Sequence, residues 1–316
     1  MKRFKQIICL DFTGSELEPA GWRLVDQLTD HRLIVNKSNN DLASKLQTAD
    51  CLLVGLGAKI GPELIDKAPN LRYIGMLGTG YGGIDVAYAA KKGITVTNIT
   101  DYATESVAEF FIGVLLDQLR DLARAKTQAK QGDYSDEAYN GSVIKGKTIG
   151  VVGLGNIGLR TAQLAQAFGA HVIYWSKHRK PDAEKAGIKY VSLDRLLATS
   201  DVISLNLALN LKTEGILNSK RVKTIKKGAI MINPSPMELI DFPALASRLK
   251  KGDTTFILDH SDEITAEQDK ILRKFKNCVM YPPIGYITAE ATQLKRSVYI
   301  DNIRNYLAGH PTSVVN

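Results

Sequence analysis

Cysteine is scarce in this sequence, and its scarcity argues against two classes of protein. The three cysteines among the 316 residues are Cys9, Cys51 and Cys278. They are odd in number, far apart and set in apolar strand-like runs, which predicts buried, reduced thiols rather than a disulfide framework. No cluster of cysteines and histidines has the spacing of metal ligands, so the sequence predicts no metal site.

Long apolar runs are missing as well. Every apolar run falls well short of the roughly 20 residues that a membrane-spanning helix needs. The N-terminus starts with basic residues, but Asp11 interrupts its apolar run, and a signal peptide needs a longer apolar region and a small-residue cleavage site. We therefore expect a cytoplasmic protein with no membrane partner.

Acidic residues are outnumbered by basic ones, and the formal net charge is +8. The basic residues are nevertheless spread along the chain, and the densest run, KRVKTIKKG at 220–228, has the spacing of one solvated helix face. Aromatic residues do not interleave with this run as they do on nucleic-acid-binding surfaces. The charge therefore favours a small anionic ligand over a nucleic acid.

Short β-branched runs that alternate with helix-length segments are abundant. Strand-like runs occur at QIICLD, HRLIVN, CLLV, LRYIGML and ITVTN, and a second series begins at TIGVVG and ends at CVMY. A long amphipathic helix over about 104–130 separates the two series, and another helix is expected over about 289–308. This alternation is typical of βαβ units. It predicts an α/β fold with two doubly wound parallel sheets and a hinge near each long helix.

The stretch TIGVVGLGNIGLRTAQ places a glycine-rich turn between an apolar strand and a helix. Gly153 allows the tight turn, Gly155 lets a pyrophosphate approach the backbone, and Gly158 permits close packing of helix on strand. The N–H groups at the helix start, near Asn156 and Ile157, then hold the phosphates. A glycine-rich turn alone is weak evidence, but the flanking strand and helix predict a dinucleotide site.

The residues after the next strand indicate which dinucleotide fits. NAD sites usually carry an Asp or Glu there, which binds the ribose hydroxyls, whereas this sequence reads Ser176-Lys177-His178-Arg179-Lys180. The serine removes the anionic repulsion, and an Arg is well shaped to hold a phosphate through two hydrogen bonds. The alternative is a basic loop in solvent. We predict NADP(H) in preference to NAD(H).

These and other stretches resemble the D-isomer-specific 2-hydroxyacid dehydrogenases, a family that includes glyoxylate and hydroxypyruvate reductases. The resemblance extends over nearly the whole chain and rests on APNLRYIGMLGTGYGGIDVAYAAKKGITVTN, TESVAEFFIGVLL, GLGNIGLRTAQLAQAFGAHV, SLDRLLATSDVISL, GAIMIN and YLAGHPTSVVN. It implies two Rossmann-like domains: a discontinuous, flavodoxin-like substrate domain at 1–99 plus 288–316, and a dinucleotide-binding domain at 100–287. It also implies a small-molecule substrate and a homodimer formed through the dinucleotide-binding domain.

The resemblance carries several contacts over to particular positions. Thr104, Asn233 and Asp259 should lie near the cofactor, with Asp259 facing the nicotinamide carboxamide. The substrate carboxylate should meet backbone amides of two loops. These loops contain Leu56, Gly57, Gly78, Thr79 and Gly80.

Three catalytic positions of the family hold different residues in this sequence. Family members use an Arg to bind the substrate carboxylate, a His to donate the proton, and a Glu to raise the pKa of that His. The matching positions here are Pro236, Pro283 and Ile264, in that order. Proline and isoleucine can neither clamp a carboxylate nor donate a proton. The resemblance therefore predicts a non-standard active site whose acceptor is not a simple 2-oxo acid.

Other side chains close to these positions are candidate proton donors. His260 directly follows Asp259, so it should lie at the carboxyl edge of the sheet; the alternative is a polar residue that merely ends its strand. Tyr281 precedes the two prolines, although a packing role fits it as well. Glu263 is the third candidate, one residue before the family's Glu position.

Three functions remain open on the sequence. The first is an atypical NADP-dependent oxidoreductase whose acceptor is an imine, an enone or a larger carbonyl compound. The second is a non-catalytic NADP(H)-binding sensor or scaffold that changes its domain angle on binding the dinucleotide. The third is an ordinary reductase of glyoxylate or hydroxypyruvate.

Overall fold

A computed structural model describes residues 2–55 and 57–316 of the chain. The chain divides into two compact units, one formed by the residues up to Tyr102 together with Thr288–Asn316, the other by Ala103–Ile287. Each unit is built on its own sheet. Within the described residues, every helix is too short or too polar to cross a membrane.

The strands of the described residues are β1 (Phe4–Leu10), β2 (Thr29–Val35), β3 (Cys51–Val54), β4 (Tyr73–Met76), β5 (Thr95–Thr97), β6 (Thr148–Val152), β7 (His171–Trp175), β8 (Lys189–Tyr190), β9 (Val202–Leu205), β10 (Ile230–Asn233), β11 (Thr255–Leu258) and β12 (Cys278–Met280). The α-helices are α1 (Pro19–Asp26), α2 (Leu42–Leu46), α3 (Pro62–Ile65), α4 (Val86–Lys91), α5 (Thr104–Arg120), α6 (Leu122–Lys130), α7 (Asn156–Ala167), α8 (Pro181–Lys185), α9 (Leu193–Thr199), α10 (Ser219–Thr224), α11 (Phe242–Lys251), α12 (Ala266–Leu272) and α13 (Ala289–Leu307). Two 3-10 helices cover Met237–Leu239 and Ser261–Glu263.

The first unit contains a parallel five-stranded sheet in the order β2-β1-β3-β4-β5. This is the strand order of flavodoxin-like sheets, so the predicted fold of this unit is confirmed. Alternate residues of β1 face opposite sides of the sheet: Ile8 and Leu10 belong to one apolar core, and Ile7 and Cys9 to the other. Because both faces are covered, the strands read as nearly continuous apolar runs.

The second unit contains a parallel seven-stranded sheet in the order β12-β11-β10-β9-β6-β7-β8. The first strand of this sheet in the sequence is β6. The chain then runs outward through β7 to β8 and returns to β9, which lies on the other side of β6. In open α/β sheets, ligands bind outside the carboxyl ends of the strands where the order reverses in this way. The strand order therefore predicts a ligand site at the loops that follow β6 and β9.

Some details of the sequence prediction were wrong. The helix predicted over 104–130 is two helices, because Asp121 adopts a left-handed conformation with φ 53°, which Asp tolerates better than most residues. Cys278 is only partly buried, whereas Cys9 and Cys51 are fully buried, because Cys278 lies on the edge strand β12. The two-residue strand β8 was missed, since so short a strand has no readable alternation.

Candidate active site

The glycine-rich turn between β6 and α7 closes tightly on its neighbours. Gly153 has φ 94°, and a Cβ there would stand 2.3 Å from the backbone oxygen of Asn206. A Cβ at Gly158 would stand 2.0 Å from the backbone oxygen of Gly153. The fold itself therefore requires glycine at these two positions, because only glycine allows the turn and the close approach of helix to strand.

Gly155 has a different environment. It precedes α7 with an ordinary extended backbone, φ −78° and ψ −164°, and a Cβ there would meet no described atom within 4 Å. Asn156 and Ile157 begin the helix next to this open space. An open helix N-terminus binds phosphate through its backbone N–H groups and the helix dipole. The packing of the protein therefore does not require glycine at position 155, and the space beside it leaves room for a ligand.

Buried polar atoms near this turn lack hydrogen-bond partners among the described residues, and two of them are the hydroxyl of Thr104 and the amide oxygen of Asn206. Thr104 begins α5, and the adjacent Glu105 accepts a 2.8 Å hydrogen bond from Arg160 of α7, which holds the two helix starts together. Asn206 follows β9 and lies against Gly153. Buried polar atoms are normally paired. These two atoms and the open helix end fit a dinucleotide.

The loop after β7 carries the basic residues that the sequence singled out. Ser176 is buried, and its hydroxyl donates to the backbone oxygen of His178, so the serine shapes the loop. Lys177, His178 and Arg179 are exposed. Arg179 forms an ion pair with Glu184 of α8, in which its Nε donates at 3.0 Å.

Glu184 was not recognised from the sequence as part of this region. Its carboxylate also accepts a 2.9 Å hydrogen bond from the hydroxyl of Tyr174, and the Arg179 guanidinium lies 5.3 Å from the ring centroid of Tyr190. The hydrogen bond with Arg179 lowers the pKa of Glu184. The useful signal was Pro181, which starts α8 and puts Glu184 in its first turn. The pair fixes one cation of the loop in position.

Asn233 ends β10 and Asp259 follows β11, and both side chains bind the protein's own backbone. Asn233 accepts a 3.0 Å hydrogen bond from the N–H of Ser235. Asp259 is 2% exposed and accepts from the N–H groups of Ile284 at 3.0 Å and Gly285 at 3.1 Å. Burial raises the pKa of Asp259, and the two N–H groups only partly oppose that shift. The carboxylate therefore fastens the loop after β12 to the end of β11.

His260 and Glu263 form a pair at the same edge of the sheet. Nδ1 of His260 lies 3.3 Å from Oε1 of Glu263, and the two side chains are 22% and 31% exposed. The other carboxylate oxygen, Oε2, accepts a 3.0 Å hydrogen bond from the N–H of Met237, which lies on the segment after β10. Glu263 thus holds the ring with Nδ1 toward itself, and Nε2 is the nitrogen left for a ligand.

The charges around this ring favour the imidazolium form. Burial works to lower the pKa of His260, but the hydrogen bond with Glu263 and the nearby carboxylates of Asp259 and Asp262 outweigh it, so the pKa is raised. Burial works in the opposite direction on Glu263, and its hydrogen bonds with His260 and the Met237 N–H lower its pKa. His260 therefore keeps its proton to a higher pH than an ordinary histidine and is suited to donate it.

In the first unit, the loop after β4 is held by hydrogen bonds with residues 98 and 99, which follow β5. The hydroxyl of Thr79 donates to the backbone oxygen of Ile99, and the side chain of Asn98 donates to the backbone oxygen of Thr79, both at 2.8 Å. Gly78 is buried, and its carbonyl accepts from the Ile99 N–H at 2.9 Å. A Cβ at Gly80 would meet no described atom within 4 Å. The loop is therefore rigid at its base and open at Gly80.

The second loop expected to bind substrate is described only in part. Gly57 has φ 81°, and a Cβ there would also meet no described atom within 4 Å. Leu56, the other residue expected in this loop, lies outside the described residues. Glycines with open surroundings allow a ligand to reach the backbone N–H groups.

Residues 112–285, more than half of the chain, match the family model described as D-isomer specific 2-hydroxyacid dehydrogenase, NAD binding domain. This protein belongs to the D-isomer-specific 2-hydroxyacid dehydrogenase family. A hydroxypyruvate reductase of Blautia hydrogenotrophica is 34% identical to this chain over 261 residues, which cover 80% of this chain and 81% of the relative. A glyoxylate reductase of Thermofilum pendens is 34% identical over 288 residues, which cover 88% and 85%.

Solved structures resemble this chain over almost its full length. An acyclic imino acid reductase in complex with NADPH and D-Arg has a TM-score of 0.86 and 29% identity, with 98% of this chain and all of the other chain covered. A D-lactate dehydrogenase of Aquifex aeolicus, complexed with NAD and lactic acid, has a TM-score of 0.84 and 26% identity, with 96% of both chains covered. The predicted family and fold are confirmed, and a nicotinamide dinucleotide is the class of cofactor.

Three positions singled out from the sequence lie next to the elements just described. Pro236 directly precedes Met237, whose N–H donates to Glu263. Ile264 directly follows Glu263 and packs against an apolar core of the second sheet. Pro283 belongs to the loop after β12 that the buried aspartate fastens. None of these three side chains can ionise, whereas those of His260 and Glu263 can.

Tyr281 has the surroundings of a packing residue. Its ring meets the ring of Phe110 from α5 edge-on, with centroids 5.6 Å apart, and it adjoins the apolar core beneath that helix. Burial raises the pKa of Tyr281, as it does that of Tyr286, and a raised pKa makes proton release harder. His260 is therefore the strongest of the predicted proton donors.

Sequence reasoning missed Asn206. It follows β9, immediately beside the point where the strand order reverses, and its amide oxygen is one of the unpartnered buried atoms. The rule that ligands bind at such a point could have identified it, but only once the strand order was known. No local pattern in DVISLNL distinguishes this asparagine from one that ends any buried strand.

Proposed function

We propose that this protein reduces the carbon–nitrogen double bond of a small imino acid, with NADPH as the source of hydride. One observation carries the proposal: the sheet edge that presents the open glycine-rich turn also presents His260, whose imidazolium form is favoured by Glu263. Strand β11 lies three strands from β6, which at about 4.8 Å per strand is about 14 Å. That separation suits a dinucleotide lying across the strand ends.

The preference for NADPH over NADH is proposed from the loop after β7. No carboxylate stands at the end of that strand to repel a phosphate, and Lys177 and His178 are exposed. Arg179 uses Nε and Nη2 in its pair with Glu184, so Nη1 is outside that pair and can donate to a phosphate. The imino acid reductase of the same fold was solved with NADPH, which supports the same preference here.

The acceptor is proposed from the non-standard active site and from the same relative. Pro236 and Pro283 occupy the positions where the family resemblance implies an arginine clamp and a histidine acid. An imine nitrogen is more basic than a carbonyl oxygen, so it needs less assistance to take up a proton. Since the relative solved with D-Arg is an imino acid reductase, an imino acid is a better candidate here than a 2-oxo acid.

NADPH, when bound, supplies a hydride. His260 donates its proton from Nε2 to the nitrogen of the C=N bond, the carbon receives the hydride, and the π bond is replaced by one N–H and one C–H bond. Glu263 keeps the ring charged before this step, and the N–H of Met237 keeps Glu263 in position. Loss of either support would leave the histidine present but wrongly oriented or neutral.

We further assign roles to the two units. Residues 1–99 with 288–316 bind the acceptor through the loop at Gly80, and 100–287 bind NADPH. A homodimer through the second unit is supported by exposed apolar residues, since α6 has no buried residue and Leu122, Tyr134 and Val143 are 49%, 82% and 64% exposed. The unpaired thiols support a cytoplasmic location. Light scattering of the purified protein tests the dimer.

The proposed reaction is tested by following NADPH oxidation with pyruvate alone and with pyruvate plus methylamine, which together form an imine in solution. We expect rapid oxidation of NADPH only when the amine is present. We also expect kcat/KM to be about tenfold or more higher with NADPH than with NADH, as one contact to the extra phosphate implies. Oxidation at the same rate without the amine would contradict the imine as acceptor. A variant with His310→Gln, which changes an exposed histidine, is the matched control for histidine substitutions.

A second candidate is reduction of a 2-oxo acid itself. The names of the curated relatives favour it, because hydroxypyruvate and glyoxylate reductases are 34% identical to this chain. Brisk reduction of hydroxypyruvate or glyoxylate in the absence of any amine would decide for this candidate. If NADPH binds tightly and no acceptor is reduced, the protein is instead an NADPH-binding sensor.

A further inference from the structure

Helix α13 lies along β4 of the first unit, and one face of the helix binds the strand backbone. The hydroxyl of Tyr306 donates to the backbone oxygen of Arg72 at 3.0 Å, and the hydroxyl of Tyr299 donates to that of Gly75 at 3.2 Å. The seven positions from Tyr299 to Tyr306 cover about 10.5 Å of helix, and the three positions from Arg72 to Gly75 cover about 10 Å of strand. The helix therefore runs antiparallel to β4 with a fixed register.

Lys295 is the next residue on the same helix face. It precedes Tyr299 by four positions, or about one turn and 6 Å, which corresponds to about two strand residues beyond Gly75. The register therefore brings Lys295 level with Leu77, where β4 has ended and the loop of Gly78, Thr79 and Gly80 begins.

A chain of side-chain hydrogen bonds connects this helix to that loop. The side chain of Asn302 donates to the backbone oxygen of Asn98 at 2.9 Å, and the side chain of Asn98 donates to the backbone oxygen of Thr79 at 2.8 Å. Asn302 is buried and lies on the same face as Lys295. The position of the lysine relative to the loop is therefore set by packed, hydrogen-bonded groups.

The ammonium group of Lys295 has an aromatic neighbour but no acidic partner. Its Nζ lies 5.5 Å from the ring centroid of Tyr102, and among the described residues no carboxylate forms an ion pair with it, whereas the adjacent Arg296 pairs with Glu18. The side chain is partly buried. Burial, followed by the charge of Arg296, lowers the pKa of Lys295. A half-buried cation without a counter-ion is costly to the folded protein.

We infer that Lys295 binds a carboxylate group at the loop of Gly78, Thr79 and Gly80. The lysine would form a charge-assisted hydrogen bond with the carboxylate, and the open loop would contribute backbone N–H groups. That the carboxylate is the one on the imino acid rests on the proposed function; the anion site itself does not.

The inference is tested by thermal unfolding of the protein with oxalate, without NADPH and without turnover. Oxalate should raise the Tm of the unsubstituted protein, and Lys295→Met should weaken oxalate binding about 10- to 100-fold, as the loss of a charge-assisted hydrogen bond implies. Arg304→Met is the matched control, because it removes a partly exposed, ion-paired cation from the same helix, and it should leave oxalate binding unchanged. Lys295→Gln replaces Lys295→Met if the methionine variant does not fold.

Equal oxalate binding by the unsubstituted protein and the Lys295 variants would overturn the inference, as would the absence of any oxalate effect on the unsubstituted protein. Enzyme kinetics provide a second test. Lys295→Met should raise KM for an acceptor with a carboxylate and leave KM for its methyl ester unchanged. Failure of all acceptors to be reduced would remove the proposed function, whereas the oxalate result would still decide the anion site.

Discussion

The two halves of the carboxyl edge of the second sheet differ in which groups form the candidate site, backbone groups in one half and side chains in the other. Around β6 and β7 the site is made mainly of backbone: glycines at 153, 155 and 158 shape the turn, and the helix start provides N–H groups. Around β10 to β12 the site is made of side chains, in which Asp259 fastens a loop and Glu263 orients His260. A substitution at the glycine-rich turn acts by blocking the backbone, whereas a substitution in the second half removes a charged side chain and leaves the sheet intact.

The largest effect is expected from removing the acid of the side-chain half. We expect His260→Gln to lower kcat for NADPH-dependent imine reduction by about 10²- to 10³-fold, because general acid catalysis typically contributes that much, with NADPH binding unchanged. If the proposed reaction is correct, the unsubstituted protein should lose activity as the pH rises through the raised pKa of His260. Unchanged kcat in the variant, measured against the His310→Gln control, would show that the proton comes from elsewhere.

The next effect should come from the backbone half. We expect Gly155→Ala to weaken NADPH binding by about 10- to 100-fold, since the new methyl group would occupy space that the pyrophosphate needs, while Tm stays within about 2 °C because the Cβ meets no described atom. Gly61→Ala is a matched control, for Gly61 also precedes a helix with extended backbone and open surroundings. Titration of NADPH fluorescence measures the binding. Equal affinity for NADPH in both variants would show that the glycine-rich turn does not bind the pyrophosphate.

A smaller effect is expected at the cation after β7. Arg179→Ala should reduce the ratio of kcat/KM for NADPH to that for NADH by about tenfold, as the loss of one charge-assisted hydrogen bond implies. Arg273→Ala removes another exposed, ion-paired arginine of the same unit and should leave the ratio unchanged. A fall in kcat/KM that is equal for both cofactors would mean that Arg179 does not read the extra phosphate.

The smallest effect concerns stability and pH. The raised pKa of His260 adds stability that is complete below the ordinary value of 6.5 and is lost as the pH rises through the raised pKa. The lowered pKa of Glu263 adds stability that is complete above 4.5 and is lost as the pH falls through the lowered pKa. The pair should therefore stabilise most between these two values, by about 1 kcal/mol. Urea unfolding of the protein and of His260→Gln near pH 5.5 and pH 8.5 should show a larger difference at the lower pH.

The backbone half of the site was readable from the sequence because its residues are close together in the chain. Gly153, Gly155 and Gly158 lie within six positions, and each is explained by local geometry or by the open space at the start of the helix. The side-chain half was readable only in part. His260 and Glu263 were both named as candidates, but their pairing through Nδ1 depends on the 3-10 helix between them and on the Met237 N–H, neither of which has a clear sequence signal.

By itself, the sequence determined two parallel α/β sheets, the family and the position of the dinucleotide turn, because these depend on apolar periodicity and on glycines at fixed local spacing. Only the tertiary structure decided that Glu184 pairs with Arg179, that Asp259 fastens the loop after β12, and that Lys295 continues the strand-facing side of α13. The physical reason is that such contacts depend on strand order and on the register between packed elements. Those quantities are set by the whole core, and no short stretch of the chain encodes them.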